Sequence, residues 1–185
     1  MTVQNAKRWA CDEFCSISST PLLDAEVLLM GATKKSREHL LFKKTEELTA
    51  CQEALFRDYV QKRKTGLPVA YIIGKKEFFG YDFFVTPDVL IPKPDTENLV
   101  ELSLEALKAL DLKKEISLCD MCTGSACVGI SIIKEAHKMY PQSNIRSIFC
   151  DISEEALRIA QKNAKALLAP EEAKKISLKK SNLFS

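Results

Sequence analysis

The sequence has almost no excess charge of either sign and no hydrophobic run long enough to cross a bilayer. Lys and Arg total 27 against 25 Asp and Glu, which gives a formal net charge of +2. Proteins that bind nucleic acid mainly through charge carry a larger basic excess, so that class is disfavoured. The amphipathic N-terminus lacks the apolar segment of a signal peptide. We therefore expect a cytoplasmic protein that acts neither in a membrane nor directly on nucleic acid.

Metal ligands and disulfide frameworks are also scarce. The chain has only two histidines, in separate helical patterns, and its seven cysteines are scattered in no scaffold pattern. Cys119 and Cys122 form a C-x-x-C spacing, but a zinc site would require a second pair. Because Cys119 falls in a predicted buried strand, we expect neither metal binding nor redox chemistry there. The composition favours a reducing compartment in which most cysteines are small buried residues.

Residues 1–67 predict a small bundle of helices. Apolar side chains recur at helical spacing in four segments, at 3–16, 22–30, 36–42 and 49–66. Gly31 and Gly66 are predicted to end the second and fourth helices. Because this part contains no constellation of catalytic side chains, we interpret it as a recognition or docking module.

Residues 68–94 predict a β-hairpin followed by a proline-rich loop. Aromatic residues and strand formers flank Gly80, which is typical of a hairpin turn. The aromatic side chains could form an ordinary core or pack between two domains. The loop cannot become helical until after Pro94, and Asp95 or Thr96 is predicted to cap the helix that follows.

A strand, a tight turn and a helix are predicted over residues 116–130. A turn of this kind brings backbone N–H groups and a helix N-terminus up to a ligand. The next predicted strand, 145–151, ends in Asp151, and an acidic residue there can accept hydrogen bonds from both ribose hydroxyls. The turn alone would fit equally well as a strand-to-helix connection that binds no ligand. Together with Asp151 it predicts a nucleoside-binding site in a Rossmann-like sheet.

Four short motifs identify a family. They are Gly-Leu-Pro-Val-Ala-Tyr-Ile-Ile-Gly at 66–74, Glu-Phe-Phe-Gly at 77–80, Phe-Val at 84–85 and Val-Leu-Ile-Pro-Lys-Pro-Asp-Thr-Glu at 89–97. They closely resemble the bacterial release-factor glutamine N5-methyltransferases, the HemK/PrmC family. The order of segments matches as well. The resemblance implies an α/β protein with a substrate-recognition bundle at 1–67, a hairpin linker at 68–94 and a Rossmann-like class I methyltransferase domain at 95–185.

The resemblance also implies a reaction and a partner. The family uses S-adenosylmethionine to methylate the side-chain amide nitrogen of the glutamine in the Gly-Gly-Gln motif of class I peptide-chain release factors. A monomer that binds such a release factor is therefore expected.

By position, the resemblance implies a cofactor site at the turn and the two strand ends after it. The turn would hold the methionine part of the cofactor, and Asp151 the ribose hydroxyls. Asn182 takes a position near the adenine that usually carries an aspartate, and its amide oxygen can still accept a hydrogen bond. The implied cofactor-binding residues are Asp120, Cys122, Thr123, Gly124, Ser125, Ala126, Asp151 and Asn182. The implied substrate-side loop comprises Pro92, Lys93, Pro94, Asp95 and Thr96.

The chain departs from the family pattern in three places. Cys122 and Ala126 stand in glycine positions of the turn. If these positions need positive φ, each Cβ costs on the order of 1 kcal/mol, and we predict weaker cofactor binding. Lys93 replaces the usual arginine, which keeps the charge but loses the planar fork.

The third departure is the catalytic Asn-Pro-Pro-Tyr motif, which this sequence does not contain. Three strands of the Rossmann-like sheet are predicted, at 116–120, 145–151 and 176–179, so the sheet is interpreted as truncated, with unpaired edges and uncovered apolar faces. No catalytic residue is predicted in this chain, and we expect it to be inactive on release factors by itself. Two alternatives remain open, namely a non-catalytic release-factor or cofactor-binding module and a methyltransferase of nucleic-acid amino groups.

Overall fold

The computed structural model describes residues 1–111 and 114–183. The chain divides into two compact units, Met1–Ile73 and Gly74–Ser185. The first unit is entirely helical. Its helices are α1 (Val3–Phe14), α2 (Pro21–Thr33), α3 (Arg37–Phe42), α4 (Ala50–Lys64) and α5 (Val69–Ile73).

Hydroxyl side chains begin three of these helices. The side-chain oxygen of Ser36 accepts a hydrogen bond from the His39 amide at 3.2 Å, and Thr2 caps α1 in the same way. Thr49 forms a reciprocal capping box with Gln52 at the start of α4. These bonds satisfy amide groups that a helix leaves unpaired in its first turn.

Gly31 does not end the second helix, as the sequence had predicted. Helix α2 continues to Thr33 and closes at Lys34, whose φ is +57°. A Cβ on Gly31 would lie 2.9 Å from the Ile73 Cγ2 atom of α5. The glycine therefore allows α5 to pack closely on α2, and its role is packing rather than termination.

The core of the first unit is closed by large apolar side chains. Phe14, Phe56 and Val60 are fully buried, together with Leu28 of α2. Trp9 packs edge-on against Phe56, with ring centroids 6.1 Å apart. Because α5 belongs to this unit, the boundary falls after Ile73 rather than after residue 67.

The second unit begins with the hairpin. Strands β1 (Lys75–Phe78) and β2 (Tyr81–Phe84) pair antiparallel, and the turn residues Phe79 and Gly80 both have positive φ. Phe78 and Phe83 are buried in the core of this same unit. The aromatic cluster is thus an ordinary core, the first of the two predicted arrangements.

The proline-rich loop leads through a short 3-10 turn, Pro94–Thr96, into helix α6 (Glu97–Leu107). Thr96, one of the two predicted caps, makes no capping hydrogen bond. The carboxylate of Glu97 instead accepts a hydrogen bond from the Phe79 amide at 2.9 Å. The start of α6 is therefore fixed by the hairpin turn.

A three-stranded parallel sheet forms the rest of the second unit, in the order β3-β4-β5. The strands alternate with helices, which confirms the predicted α/β class with a partial Rossmann-like sheet. Along the chain these elements are β3 (Glu115–Met121), α7 (Cys127–Met139), β4 (Asn144–Asp151), α8 (Glu154–Leu167), α9 (Pro170–Ala173) and β5 (Ile176–Lys180).

The two faces of this sheet differ. Ile145 and Phe149 are buried with α7 and α8 on one face. On the other face Cys119 is exposed and Ile148 is 39% exposed. Cys119 was predicted to be buried, and it is not; with Ile148 it leaves this part of the face open. Parallel sheets are normally covered on both sides, so the expected uncovered face is present.

The cysteines as a group are less buried than predicted. Only Cys127 and Cys150 are buried, whereas Cys15, Cys51, Cys119 and Cys122 are exposed. Among residues 1–111 and 114–183, no three His, Cys, Asp or Glu side chains are grouped to hold a metal ion. No helix of that same part is long and apolar enough to cross a membrane.

Candidate functional site

The turn between β3 and α7 has an unusual backbone. Cys122, Gly124 and Ala126 have φ values of +57°, +52° and +61°. L-residues avoid this region because the Cβ approaches the neighbouring carbonyl oxygen. The two glycine positions of the family pattern, occupied here by Cys122 and Ala126, therefore both have positive φ.

Backbone hydrogen bonds tie this turn to the neighbouring strand. The Thr123 amide donates to the Cys150 carbonyl of β4 at 2.9 Å. Within the turn, the Ala126 amide donates to the Thr123 carbonyl at 2.7 Å. Residues in strained conformations persist only when their surroundings fix them, and these bonds supply part of that fixation.

Asp120, near the end of β3, stabilises the turn through hydrogen bonds. One carboxylate oxygen, Oδ2, accepts hydrogen bonds from the Thr123 hydroxyl at 2.7 Å and from the Gly129 amide at 3.1 Å. Burial raises the pKa of Asp120, the two hydrogen bonds oppose that rise, and the nearby charge of Asp151 adds to it. The side chain therefore joins the strand end to the first turn of α7.

Asp151, at the end of β4, also accepts a hydrogen bond from the turn. Its Oδ2 atom accepts from the Gly124 amide at 2.9 Å, and its Oδ1 atom accepts from the Ser153 amide at 3.0 Å. The ends of β3 and β4 are thus joined by a direct hydrogen bond. A carboxylate has about four lone-pair sites, so each oxygen of Asp151 can accept a further hydrogen bond.

Gly124 and Gly129 differ in the space around them. A Cβ added to Gly124 would have no atom within 4 Å, so open space faces this residue. A Cβ on Gly129 would lie 2.5 Å from the Phe149 ring and 2.9 Å from Asp120 Oδ2. Gly129 lets α7 approach the sheet closely. Sequence reasoning missed it, although a glycine five residues after Gly124 is the third glycine of the dinucleotide-binding spacing.

The remaining residues of the predicted turn point in different directions. Thr123 and Ser125 are buried, whereas Cys122 is exposed. Cys127, the first residue of α7, is a buried thiol whose pKa is raised to about 11, mainly by burial. It is therefore a protonated core residue near neutral pH.

The end of the third strand lies beside Asp151. The Ser181 amide donates to the Asp151 carbonyl at 3.0 Å, and the exposed Asn182 follows directly. The ends of β3, β4 and β5 therefore lie along one edge of the sheet, and predicted cofactor residues occur at each of them. Ligands of open α/β sheets bind at the carboxyl ends of the strands.

The predicted substrate-side loop is part buried and part exposed. Pro92 is buried, while Lys93, Pro94 and Asp95 are exposed. The Thr96 amide donates to the Lys93 carbonyl at 3.0 Å, which closes the 3-10 turn.

The loop follows the hairpin, and one side chain links the hairpin by hydrogen bonds to the turn between β3 and α7. Asn163 of α8 contacts both the Phe84 backbone and the Ser125 carbonyl. Sequence reasoning missed this residue. The one sign of Asn163 in the sequence is that a polar residue lies on the same helical face as Ala160 and Ala164. The structure buries both alanines.

A cavity of about 340 Å³ lies elsewhere in the second unit, between α8, α9 and β5. Apolar side chains such as Leu168 and Leu178 line it, with Lys165 and Lys174 among them. The cavity is distinct from the strand-end edge, and we assign it no role.

Residues 5–74 match the family model of the PrmC N-terminal domain. The chain is 39% identical over 165 residues to a release factor glutamine methyltransferase of Coxiella burnetii, covering 89% of this chain and 56% of that protein. It is 41% identical over 150 residues to the release factor glutamine methyltransferase of Koribacter versatilis, covering 81% of this chain and 50% of that protein.

One solved structure is also similar, although weakly. It is a Listeria monocytogenes protein assigned as a class I S-adenosylmethionine-dependent methyltransferase, with a TM-score of 0.39 at 15% identity over 95% of this chain and 50% of that one. That likeness is too slight to support any further step.

The chain spans about half the length of the curated relatives that it matches. Residues 5–74 are thus similar to the PrmC N-terminal domain, and the predicted resemblance to the release factor glutamine methyltransferases is confirmed over most of the chain.

Proposed function

We propose that this chain forms the S-adenosylmethionine-binding part of a protein-glutamine N5-methyltransferase whose substrate is a class I peptide-chain release factor. The observation that supports this best is the 2.9 Å hydrogen bond from the Gly124 amide to Asp151. It brings a positive-φ turn and an acidic strand end to one edge of a parallel sheet. Relatives named release factor glutamine methyltransferase support the choice of substrate.

The described residues fit such a cofactor. The open space at Gly124 allows a ligand to approach the backbone closely, and the free lone pairs of Asp151 suit two ribose hydroxyls. Bound S-adenosylmethionine would supply a sulfonium methyl group to a nucleophile. Asp120 and Thr123 would support the cofactor indirectly, because the Asp120 carboxylate accepts a hydrogen bond from the Thr123 hydroxyl and so stabilises the turn.

The substrate amide is a demanding nucleophile, because its nitrogen lone pair is delocalised into the carbonyl. Hydrogen bonds that hold the amide in position and favour a localised lone pair are needed for transfer. In the family this role falls to an Asn-Pro-Pro-Tyr motif, which the present sequence does not contain. We therefore propose that residues 92–96 line the substrate side and that this chain alone does not methylate a release factor.

Calorimetric titration with S-adenosylmethionine tests the cofactor site. We expect binding to the wild-type chain and an affinity about tenfold lower for Asp151→Asn, because an amide replaces one charged acceptor of the ribose. Glu171→Gln is the matched control, since Glu171 is an exposed carboxylate of the same unit with its side chain 80% accessible. Equal affinity of Asp151→Asn and the wild type would contradict the assignment.

The same titration tests the two replaced glycine positions. A Cys122→Gly, Ala126→Gly double variant relieves two positive-φ side chains, each worth about 1 kcal/mol. We expect tighter cofactor binding by about tenfold if part of that strain opposes the bound conformation. Unchanged affinity would show that the strain does not weaken binding.

The alternatives give different results. A chain that binds a release factor but no S-adenosylmethionine would be a non-catalytic docking module. Salt-sensitive binding of DNA would instead favour a methyltransferase of nucleic-acid amino groups.

A further inference from the structure

Asn163 is a fully buried polar side chain on the inner face of α8. Its Oδ1 atom accepts a hydrogen bond from the Phe84 amide at 2.7 Å. Its Nδ2 atom donates to the Phe84 carbonyl at 3.0 Å and to the Ser125 carbonyl at 2.8 Å. Three of the amide's hydrogen-bonding positions are therefore used, all of them on backbone groups.

These bonds connect two segments that are far apart in sequence. Phe84 is the last residue of β2, where the chain leaves the hairpin towards the proline-rich loop. Asn163 contacts both backbone groups of Phe84, as a neighbouring strand would. Ser125 lies between the two positive-φ residues Gly124 and Ala126 of the turn.

The bond to Ser125 fixes one peptide plane of the turn. The Ser125 carbonyl and the Ala126 amide belong to the same peptide group. Asn163 holds the carbonyl at 2.8 Å, and the Thr123 carbonyl holds the amide at 2.7 Å. Rotation of this plane, which would change the φ of Ala126 from +61°, requires both bonds to break.

We infer that Asn163 is a positioning residue that sets the cofactor turn against the hairpin and hence against the substrate-side loop. This inference rests on the proposed function, because it assigns the turn to the cofactor and the loop to the substrate. The physical basis is independent of any ligand. A strained turn keeps its conformation only when the surrounding structure over-determines it, and Asn163 supplies a bond from outside the turn.

Asn163→Asp tests the inference with almost no change in shape. Above the pKa of the new carboxyl group, the carboxylate cannot donate to the Phe84 and Ser125 carbonyls, so the outer bond of the peptide plane is lost. We expect the protection factor of the Ala126 amide against hydrogen exchange to fall by about tenfold or more. We expect S-adenosylmethionine affinity to fall by about tenfold as well.

Acidification tests whether the lost donor itself is responsible. A protonated carboxyl can donate one hydrogen bond, so the Ala126 protection factor of Asn163→Asp should recover partly at acidic pH. Asn144→Asp is the matched control, because Asn144 begins β4 and pairs with Lys175 and Glu115 away from the turn. It should change neither the Ala126 amide nor the affinity.

Asn163→Ala covers the case in which Asn163→Asp does not fold. It removes the donor without adding a charge, and we expect the same loss of Ala126 protection with no recovery in acid. Unchanged protection and affinity in a folded variant would overturn the positioning role. Failure of both variants to fold would overturn it too, since Asn163 would then serve stability alone. If the wild type binds no S-adenosylmethionine, the proposed function fails while the exchange result still decides the role of Asn163.

Discussion

The two units of the chain handle buried charge and backbone strain differently. In the first unit the buried carboxylate, Glu26, is paired with Lys7 at 3.2 Å and with Arg37 at 2.9 Å. In the second unit the half-buried Asp120 accepts hydrogen bonds from uncharged donors. The ion pairs of Glu26 neutralise its charge, whereas the hydrogen bonds of Asp120 stabilise the conformation of a turn.

Backbone strain shows the same contrast. The one non-glycine residue of the first unit with positive φ, among the residues that the structure describes, is Lys34, which closes a helix. In the second unit Cys122 and Ala126 flank Gly124 within a single turn. Strained residues tend to gather where a ligand or a reaction requires an unusual geometry. Positive-φ residues other than glycine are therefore concentrated in the turn between β3 and α7, where we propose the cofactor site.

The largest expected effect comes from Gly129→Ala. The new Cβ would overlap the fully buried Phe149 ring at 2.5 Å and crowd Asp120 at 2.9 Å. We expect the second unit to lose about 2 to 3 kcal/mol, which exceeds the gain of about 1 kcal/mol in helix propensity. Urea unfolding followed by circular dichroism measures this loss. The fluorescence of Trp9, the only tryptophan, identifies the transition of the first unit.

Gly124→Ala is the matched control for that substitution. No atom lies within 4 Å of the added Cβ, so only the positive φ of +52° opposes it. The expected loss is about 1 kcal/mol. A larger effect at Gly124 than at Gly129 would show that helix–sheet packing is not what confines this turn.

The first unit should respond to the loss of a charge pair. Glu26→Gln leaves Lys7 and Arg37 without their shared carboxylate. Because the Arg37 side chain is 59% accessible, solvent screens much of the effect, and we expect a loss of about 1 kcal/mol. The Trp9 fluorescence transition in urea should move to lower denaturant concentration.

Asp58→Asn is the control for the charge pair, since Asp58 pairs with Lys62 on the surface of α4 with both side chains about half accessible. Its effect should be at most a few tenths of a kcal/mol. Equal urea midpoints for Glu26→Gln and the wild type would show that the ion pairs of Glu26 do not stabilise the first unit, and the contrast with Asp120 would then fail.

The order of elements could be predicted from sequence because local signals fix it. Hydroxyl caps at Ser36 and Thr49, the hairpin glycine and the three alternating strands all act over a few residues. The α/β class with a helical first unit follows from them, and so does the adjacency of Gly124 and Asp151, since parallel neighbours end at the same edge.

What the sequence could not show depends on contacts between distant residues. Gly31 has the same local pattern as a helix-ending glycine, and only the approach of Ile73 shows that it serves packing. Cys119 alternates correctly for a strand, but alternation does not tell whether a face is covered. The role of Asn163 depends on Phe84 and Ser125, which are far from it along the chain.

The smallest expected effect is the pH dependence that distinguishes Asp120→Asn from the wild type. The pKa of Asp120 is raised in the folded chain, chiefly by burial, so its ionised form is less favourable there than in the unfolded chain. Its contribution to stability is therefore fully present below the unfolded pKa and is lost as the pH rises through the folded one.

Asp120→Asn cannot ionise, and its amide oxygen can still accept from Thr123 and Gly129. The stability of the variant relative to the wild type should thus increase as the pH rises from below 3.8 through the raised pKa, and then level off. Urea midpoints of the two proteins by circular dichroism, compared at each pH, cancel the titration of the exposed carboxylates. A difference that falls with pH would mean that the buried charge of Asp120 stabilises the turn, which would bring the second unit closer to the paired-charge arrangement of the first.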